Sequence, residues 1–167
     1  MFDNKEIVDF KDADYFSYET QCSLWNNEKL SLIIDFGEEA DKSKMLSKHI
    51  NKINDILSWI DNNKDKICTF LISKDIIKIA EEWVKTSEKI DENTYQNSMM
   101  QNINIPITES DFFNSIYIDT VLIDFDEDEN RPDTTLHIMF NPDYFKQHSL
   151  ILYIDGDNNL EYGDITA

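Results

Sequence analysis

Glycine and cysteine are scarce in this chain, and each shortage excludes a class of site. Only three glycines occur in 167 residues. Nucleotide-cradling loops of the Rossmann or Walker type need two or three glycines in one turn, so such a loop is not expected. The two cysteines, Cys22 and Cys68, fall in a strand-like and a helical segment. We expect both to be reduced in a cytoplasmic protein rather than joined in a disulfide.

Long apolar runs are also missing. No stretch approaches the roughly 18 consecutive apolar residues of a membrane span, and residues 1–6 have neither the basic nor the apolar region of a signal peptide. The sequence therefore predicts a cytoplasmic protein that neither crosses nor binds a membrane.

Basic residues are outnumbered, 15 against 34 acidic ones, which gives a net charge of −19. The excess is uneven: residues 42–90 carry 10 bases and 7 acids, whereas residues 91–167 carry 2 bases and 16 acids. Such a field repels nucleic acid and anionic lipid, and it attracts cations or a basic protein.

Apolar residues suffice for a folded core, at 41% of the chain with 12% aromatic. We predict a weakly ordered lead-in over residues 1–14 and a single domain over residues 15–167. The domain divides into an N-terminal hairpin (15–36), a helical pair (38–87), a long connection with conformational freedom (88–106), and a helix followed by antiparallel strands (107–167).

Periodicity supports the helices. Apolar residues from Leu46 to Ile60 recur at spacings of three and four, with His49 at the boundary of the stripe and lysines on the opposite face. A second helix is predicted from Lys64 to about Ser87, with Ser73 as an N-cap that restarts it. Thr108 is the predicted N-cap of a short third helix. The predicted class is α+β, an antiparallel sheet with two long helices packed on one face.

The C-terminal run from Phe140 to Asp157 has an aromatic-Asp-aromatic group, then His148-Ser149, a hydrophobic strand and an Asp-Gly turn. This run resembles the closing signature of a loose group of uncharacterised bacterial α+β domains, some of which lie beside toxin–immunity genes. The group usually has glycine before the histidine, where this chain has Gln147. The resemblance implies a fold, and through its immunity association it implies a protein that binds and neutralises a toxin.

The candidate partner-binding site is the acidic segment near residue 126. We expect its carboxylates to contact a basic protein, with a tyrosine as a possible aromatic anchor. The predicted contact residues are Asp124, Asp126, Glu127, Asp128 and Glu129, with Tyr117 or Tyr144 as the anchor.

Cation binding is the alternative for these carboxylates. Asp124, Asp126, Asp128 and Asn130 alternate as calcium ligands do, but Glu129 stands where a calcium loop needs glycine. A solvated hairpin loop explains the same pattern. A second alternative is a metal site formed by His137, Asp143 and His148. The competing interpretation is that one histidine is exposed and the other hydrogen-bonds a turn carbonyl.

No residue pattern identifies a reaction. Neither cysteine has a neighbouring positive charge, and no serine lies in a G-x-S-x-G turn. The charge predicts a protein-binding module that engages a basic partner and needs no cofactor, and the resemblance implies that this module is of immunity type with a toxin-like partner. The alternatives are a divalent-cation-binding protein or metal-dependent enzyme, and an accessory domain without a ligand. The sequence leaves the oligomeric state open.

Overall fold

The computed structural model describes residues 11–12, 17–25, 27–37, 42–125, 128 and 130–166. Of the predicted lead-in 1–14, only the two-residue strand β1 (Lys11–Asp12) lies within these ranges. The remainder of that prediction lies outside the described residues.

The main sheet has seven strands in the order β1-β2-β3-β7-β8-β9-β10. Its other strands are β2 (Ser17–Leu24), β3 (Asn27–Asp35), β7 (Ile116–Asp124), β8 (Asp133–Phe140), β9 (Ser149–Ile154) and β10 (Leu160–Thr166). The predicted N-terminal hairpin appears as β2 and β3, and the predicted C-terminal antiparallel strands appear as β7 to β10. The sheet is not wholly antiparallel as predicted, because β3 runs parallel to β7. A parallel pair needs a crossover, and the segment between β3 and β7 supplies it.

The helical region has one long helix instead of two. The helices are α1 (Lys42–Asn62), α2 (Lys64–Ser73), α3 (Ile76–Val84) and α4 (Glu109–Ser115). The predicted second helix is interrupted at Asp75, which adopts a left-handed φ of 60°. Ser73 is not an N-cap; it ends α2, where its hydroxyl donates to the Phe70 carbonyl at 2.6 Å. That the helices cover the same face of the sheet stays a prediction.

Thr108 caps α4 as predicted. Its hydroxyl accepts a hydrogen bond from the Asp111 backbone N–H at 3.0 Å, and the Asp111 carboxylate accepts one from the Thr108 backbone N–H at 3.2 Å. This reciprocal capping box begins the helix that leads directly into β7.

The predicted connection 88–106 is ordered by a second, three-stranded sheet. Its strands are β4 (Glu88–Lys89), β5 (Thr94–Gln96) and β6 (Asn102–Asn104). Polar side chains connect the strands of this small sheet. The Gln96 side-chain amide on β5 donates to the Asn102 side-chain oxygen on β6 at 3.1 Å. Asn97 ties this sheet to the main domain by donating to the Asp143 carbonyl at 3.0 Å.

Alternating burial along the central strands sets the core. On β7, Ile116, Ile118, Val121 and Ile123 are buried, while the intervening side chains are half-buried or exposed. His49 belongs to the interior and not to the helix boundary, because it is 7% exposed and its ring lies 4.8 Å from that of Phe125.

Candidate functional site

Three aspartates lie in register across three neighbouring strands at one end of the main sheet. Asp35 of β3 pairs with Asp124 of β7, which pairs with Asp133 of β8. Cross-strand partners project from the same face, and their neighbours Ile34 and Ile123 on the opposite face are buried. We call Asp35, Asp124 and Asp133 the acidic row. Like charges directly opposite each other on neighbouring strands are unfavourable in a sheet.

Two of the five predicted acidic contact residues, Asp124 and Asp128, lie within the described residues. Asp126, Glu127 and Glu129 lie outside the described residues. Asp128 is exposed, and its carboxylate accepts a hydrogen bond from the Asn130 backbone N–H at 2.8 Å. The structure therefore places one predicted acid, Asp124, in the acidic row and a second, Asp128, in the adjoining turn.

Further acids lie where β9 ends. Arg131 forms an ion pair with Asp157, and both side chains are more than half exposed. Asp155 accepts hydrogen bonds from the Asp157 and Asn159 backbone N–H groups and from the Asn159 amide, which together lower the pKa of its carboxyl. The oxygens of Asp155 thus bind their own turn, so turn chemistry accounts for this segment without a cation.

The three predicted metal ligands are not brought together. Asp143 is buried, and its two oxygens accept from the Phe145 and Gln147 backbone N–H groups at 3.0 and 2.8 Å. His137 Nδ1 lies 3.4 Å from the Ser149 hydroxyl, and His148 packs its ring against Trp83. Within the described ranges, no group of three histidine, cysteine or acidic side chains has the geometry of a metal site.

The two candidate tyrosines have different environments. Tyr144 is 3% exposed and packs against Phe140, so it belongs to the core in this structure. Tyr117 is half-buried and lines a groove at the other end of β7. Burial is the main cause that raises the pKa of both phenols.

This groove has a cavity volume of about 860 Å³ and lies among the hairpin turn, the start of α2 and the α4–β7 junction. Lys64 is the cation in its lining. The Lys64 ammonium lies 4.6 Å from the centre of the Phe113 ring and 5.6 Å from that of Trp25. It also donates to the Ile116 carbonyl at 3.4 Å. Burial lowers the pKa of this ammonium, against opposing effects of Cys68 and Asp65. We call this cavity the Lys64 groove.

The sequence did not reveal the Lys64 groove. Lys64 is one of ten bases in residues 42–90, and its position after two asparagines indicates only a helix boundary. Its aromatic neighbours Trp25 and Phe113 are 39 positions before it and 49 after it, so no local pattern connects them. Nothing short of the tertiary arrangement could have identified this site.

Among the described residues, no helix has the length and apolar character needed to cross a membrane.

No curated protein and no solved structure matches the chain. A family model does match, over residues 9–165, and its family is described as an uncharacterized protein conserved in bacteria, DUF2262. The match spans both sheets, all four helices, the acidic row and the Lys64 groove. The chain therefore belongs to the DUF2262 family of uncharacterized proteins conserved in bacteria.

Proposed function

We propose that this chain is a protein-binding module of immunity type that engages a basic partner through the acidic end of its main sheet. The observation that carries the proposal is the acidic row, in which Asp35, Asp124 and Asp133 are direct cross-strand neighbours. The two free cysteines are in keeping with action in the reducing cytoplasm.

Electrostatics favours a basic partner. Like charges placed directly opposite each other destabilise a sheet, and a cationic surface laid across the row would relieve that repulsion on binding. The net charge of −19 adds a long-range attraction that speeds association at low salt.

The spacing of the acidic row favours an extended basic surface over a single ion. Neighbouring strands place opposed Cβ atoms about 5 Å apart, so the outer carboxylates of the row are separated by roughly 10 Å. A divalent cation gathers its oxygens within about 2.6 Å of itself. Two or three lysine or arginine side chains of a partner match the wider spacing.

The test compares two triple variants that remove the same charge from different places. The first, Asp35→Asn with Asp124→Asn and Asp133→Asn, neutralises the acidic row and keeps the oxygen of Asp35 that accepts from the Gly37 N–H. The control, Glu82→Gln with Glu88→Gln and Glu92→Gln, neutralises three exposed acids on α3, on β4 and in the loop after it. Wild type and the two triple variants are each immobilised and used for affinity capture from the native lysate at low salt. The affinity of the purified captured protein is then measured by calorimetry.

We expect a basic protein that wild type and the control retain alike. The acidic-row variant should bind it roughly tenfold more weakly or worse, with a difference that shrinks as salt rises. Equal weakening by both triples would attribute the binding to net charge and overturn the proposal. A captured protein that is not basic would do the same, and so would an empty bait made of folded wild-type protein.

A further inference from the structure

We propose that the Lys64 groove is a binding site for an organic carboxylate, whose anionic group is held by the Lys64 ammonium. This site is independent of the acidic row. Lys64 contacts the Ile116 end of β7, and Asp124 is at the other end of that strand. Eight residues of extended chain separate the two sites by roughly 26 Å.

The ammonium is partly withdrawn from water and has no acidic partner among the residues that the structure describes. In the described part of the chain no carboxylate oxygen lies within ion-pair distance of Lys64. Its contacts are the rings of Phe113 and Trp25 and the long hydrogen bond to the Ile116 carbonyl. Burial without a counter-ion disfavours the charged amine, and a bound anion would restore the balance.

Other hydrogen-bond donors line the same groove. The Asn141 side-chain oxygen accepts from the Gln101 amide at 3.0 Å, which leaves the Asn141 NH₂ group available. The Tyr117 hydroxyl and the side-chain NH₂ group of Gln147 also line the groove, and neither group hydrogen-bonds to another described residue. A carboxylate is acceptor-only, so it is the complement of a site with surplus donors.

Asp143 does not take the place of such a ligand. It is the acidic side chain in the groove lining, but it is 6% exposed and both of its oxygens accept backbone N–H groups of its own loop. Its charge is therefore directed into the loop that carries Phe145 and Gln147, and Lys64 remains without a carboxylate.

The charge of the site selects a carboxylate over a phosphate. Lys64 is the only cation among the described residues that line the groove. A phosphate group carries close to two negative charges and is usually held by several cations or helix N-termini. In a protein with a net charge of −19, one ammonium suits a single negative charge.

The rest of the ligand is expected to be apolar. Trp25, Phe113 and Met139 contribute apolar walls, and Met99, 53% exposed, lies at the rim. The volume of about 860 Å³ is in the range of small-molecule sites. Both a free aromatic acid and the C-terminal residue of a peptide present this combination of carboxylate and apolar group.

The experiment uses two pairs of probes that differ only in the carboxylate. Benzoate with benzamide represents a free acid, and N-acetyl-phenylalanine with its amide represents a peptide C-terminus. Each is titrated near neutral pH by calorimetry and by NMR of the lysine side chains. The variant is Lys64→Met, and the matched control is Lys66→Met, because Lys66 is on the same helix but its ammonium lies over the Trp59 ring, outside the groove.

We expect at least one acid to bind roughly tenfold more tightly than its amide and to raise the pKa of Lys64. Lys64→Met should abolish the preference for the acid, whereas Lys66→Met should keep it. Tighter binding of benzoate would identify the source as a free acid, and tighter binding of N-acetyl-phenylalanine would identify a peptide end.

Two results would overturn the proposal. One is that neither acid shifts the Lys64 resonances at about 10 mM, a concentration that would reveal millimolar affinity. The other is that Lys64→Met leaves the difference between acid and amide unchanged. The Lys64 resonances are read on the wild-type chain, so the first result is informative even if the Lys64→Met variant fails to fold.

Discussion

Trp25 and Ile60 are 35 residues apart in sequence and joined by a buried hydrogen bond, in which the Trp25 indole donates to the Ile60 carbonyl at 2.9 Å. The Trp25 backbone N–H also donates to the Asp61 carboxylate at 3.1 Å. The last carbonyls of a helix have no partner within the helix, so the hairpin turn satisfies one of them at the end of α1. The same indole forms a wall of the Lys64 groove.

Trp25→Phe should lower the free energy of unfolding by about 0.5–1.5 kcal/mol. The phenyl ring keeps most of the apolar contact but removes the indole donor, so that the Ile60 carbonyl keeps the Asn63 backbone N–H, at 3.2 Å, as its remaining donor among the described residues. Urea unfolding followed by circular dichroism measures the change. Trp59→Phe is the control, because the Trp59 indole makes no hydrogen bond to a described residue. Equal losses in the two variants would refute the role of the hydrogen bond.

Gly156→Ala should destabilise the protein by roughly 1–3 kcal/mol through overpacking. A Cβ at this position would lie 2.5 Å from the Arg131 Cβ and 2.7 Å from the Arg131 backbone oxygen. Two loops at the acidic end of the sheet would have to separate. Thermal unfolding measures the loss, and Glu161→Ala, at an exposed site on β10, should stay within about 0.5 kcal/mol of wild type. If Gly156→Ala were as stable as that control, the two loops would be able to move apart without a cost in stability.

Cys68 should make the protein less stable as the pH rises above 9. Burial raises the pKa of its thiol from 9.0 to about 11, and Lys64, one turn earlier on α2, opposes the shift. Below pH 9 the thiol is protonated in the folded and in the unfolded state, and its contribution to the free energy of unfolding is fully present. Between pH 9 and about 11 the unfolded thiol ionises first, so stability falls by up to about 1.4 kcal/mol per pH unit.

The measurement for Cys68 is urea unfolding of wild type and Cys68→Ala at pH 8 and pH 10. Alanine costs stability at both values because it leaves a cavity, but this cost does not depend on pH. The stability advantage of the wild type should therefore be smaller at pH 10. An advantage that stays constant between the two values would mean that the thiol is not shielded as the structure indicates.

Local patterns predicted much of the secondary structure correctly. The apolar stripe from Leu46 to Ile60 appears as α1, and Thr108 caps α4. The antiparallel strands predicted over residues 107–167 appear as β7 to β10. These features depend on residues a few positions apart, which is why the sequence alone reveals them.

Non-local contacts account for the errors. The break at Asp75 places a non-glycine residue in the left-handed region, which aspartate adopts more readily than most residues but which the apolar period does not signal. Residues 88–106 lack an apolar period, and polar pairs such as Gln96 with Asn102, together with the Asn97 bond to Asp143, order them instead. The parallel pairing of β3 with β7 joins segments on either side of four helices.

The sequence by itself determined the mixed α+β class, the identities of most helices and strands, and the large negative charge, because each follows from composition or short-range periodicity. Only the tertiary structure decided where the charges meet. It aligned Asp35, Asp124 and Asp133 through strand register, and it placed Lys64 between Trp25 and Phe113 through the packing of three distant segments. Register and packing are set by the burial of the whole core, which no short stretch of sequence specifies.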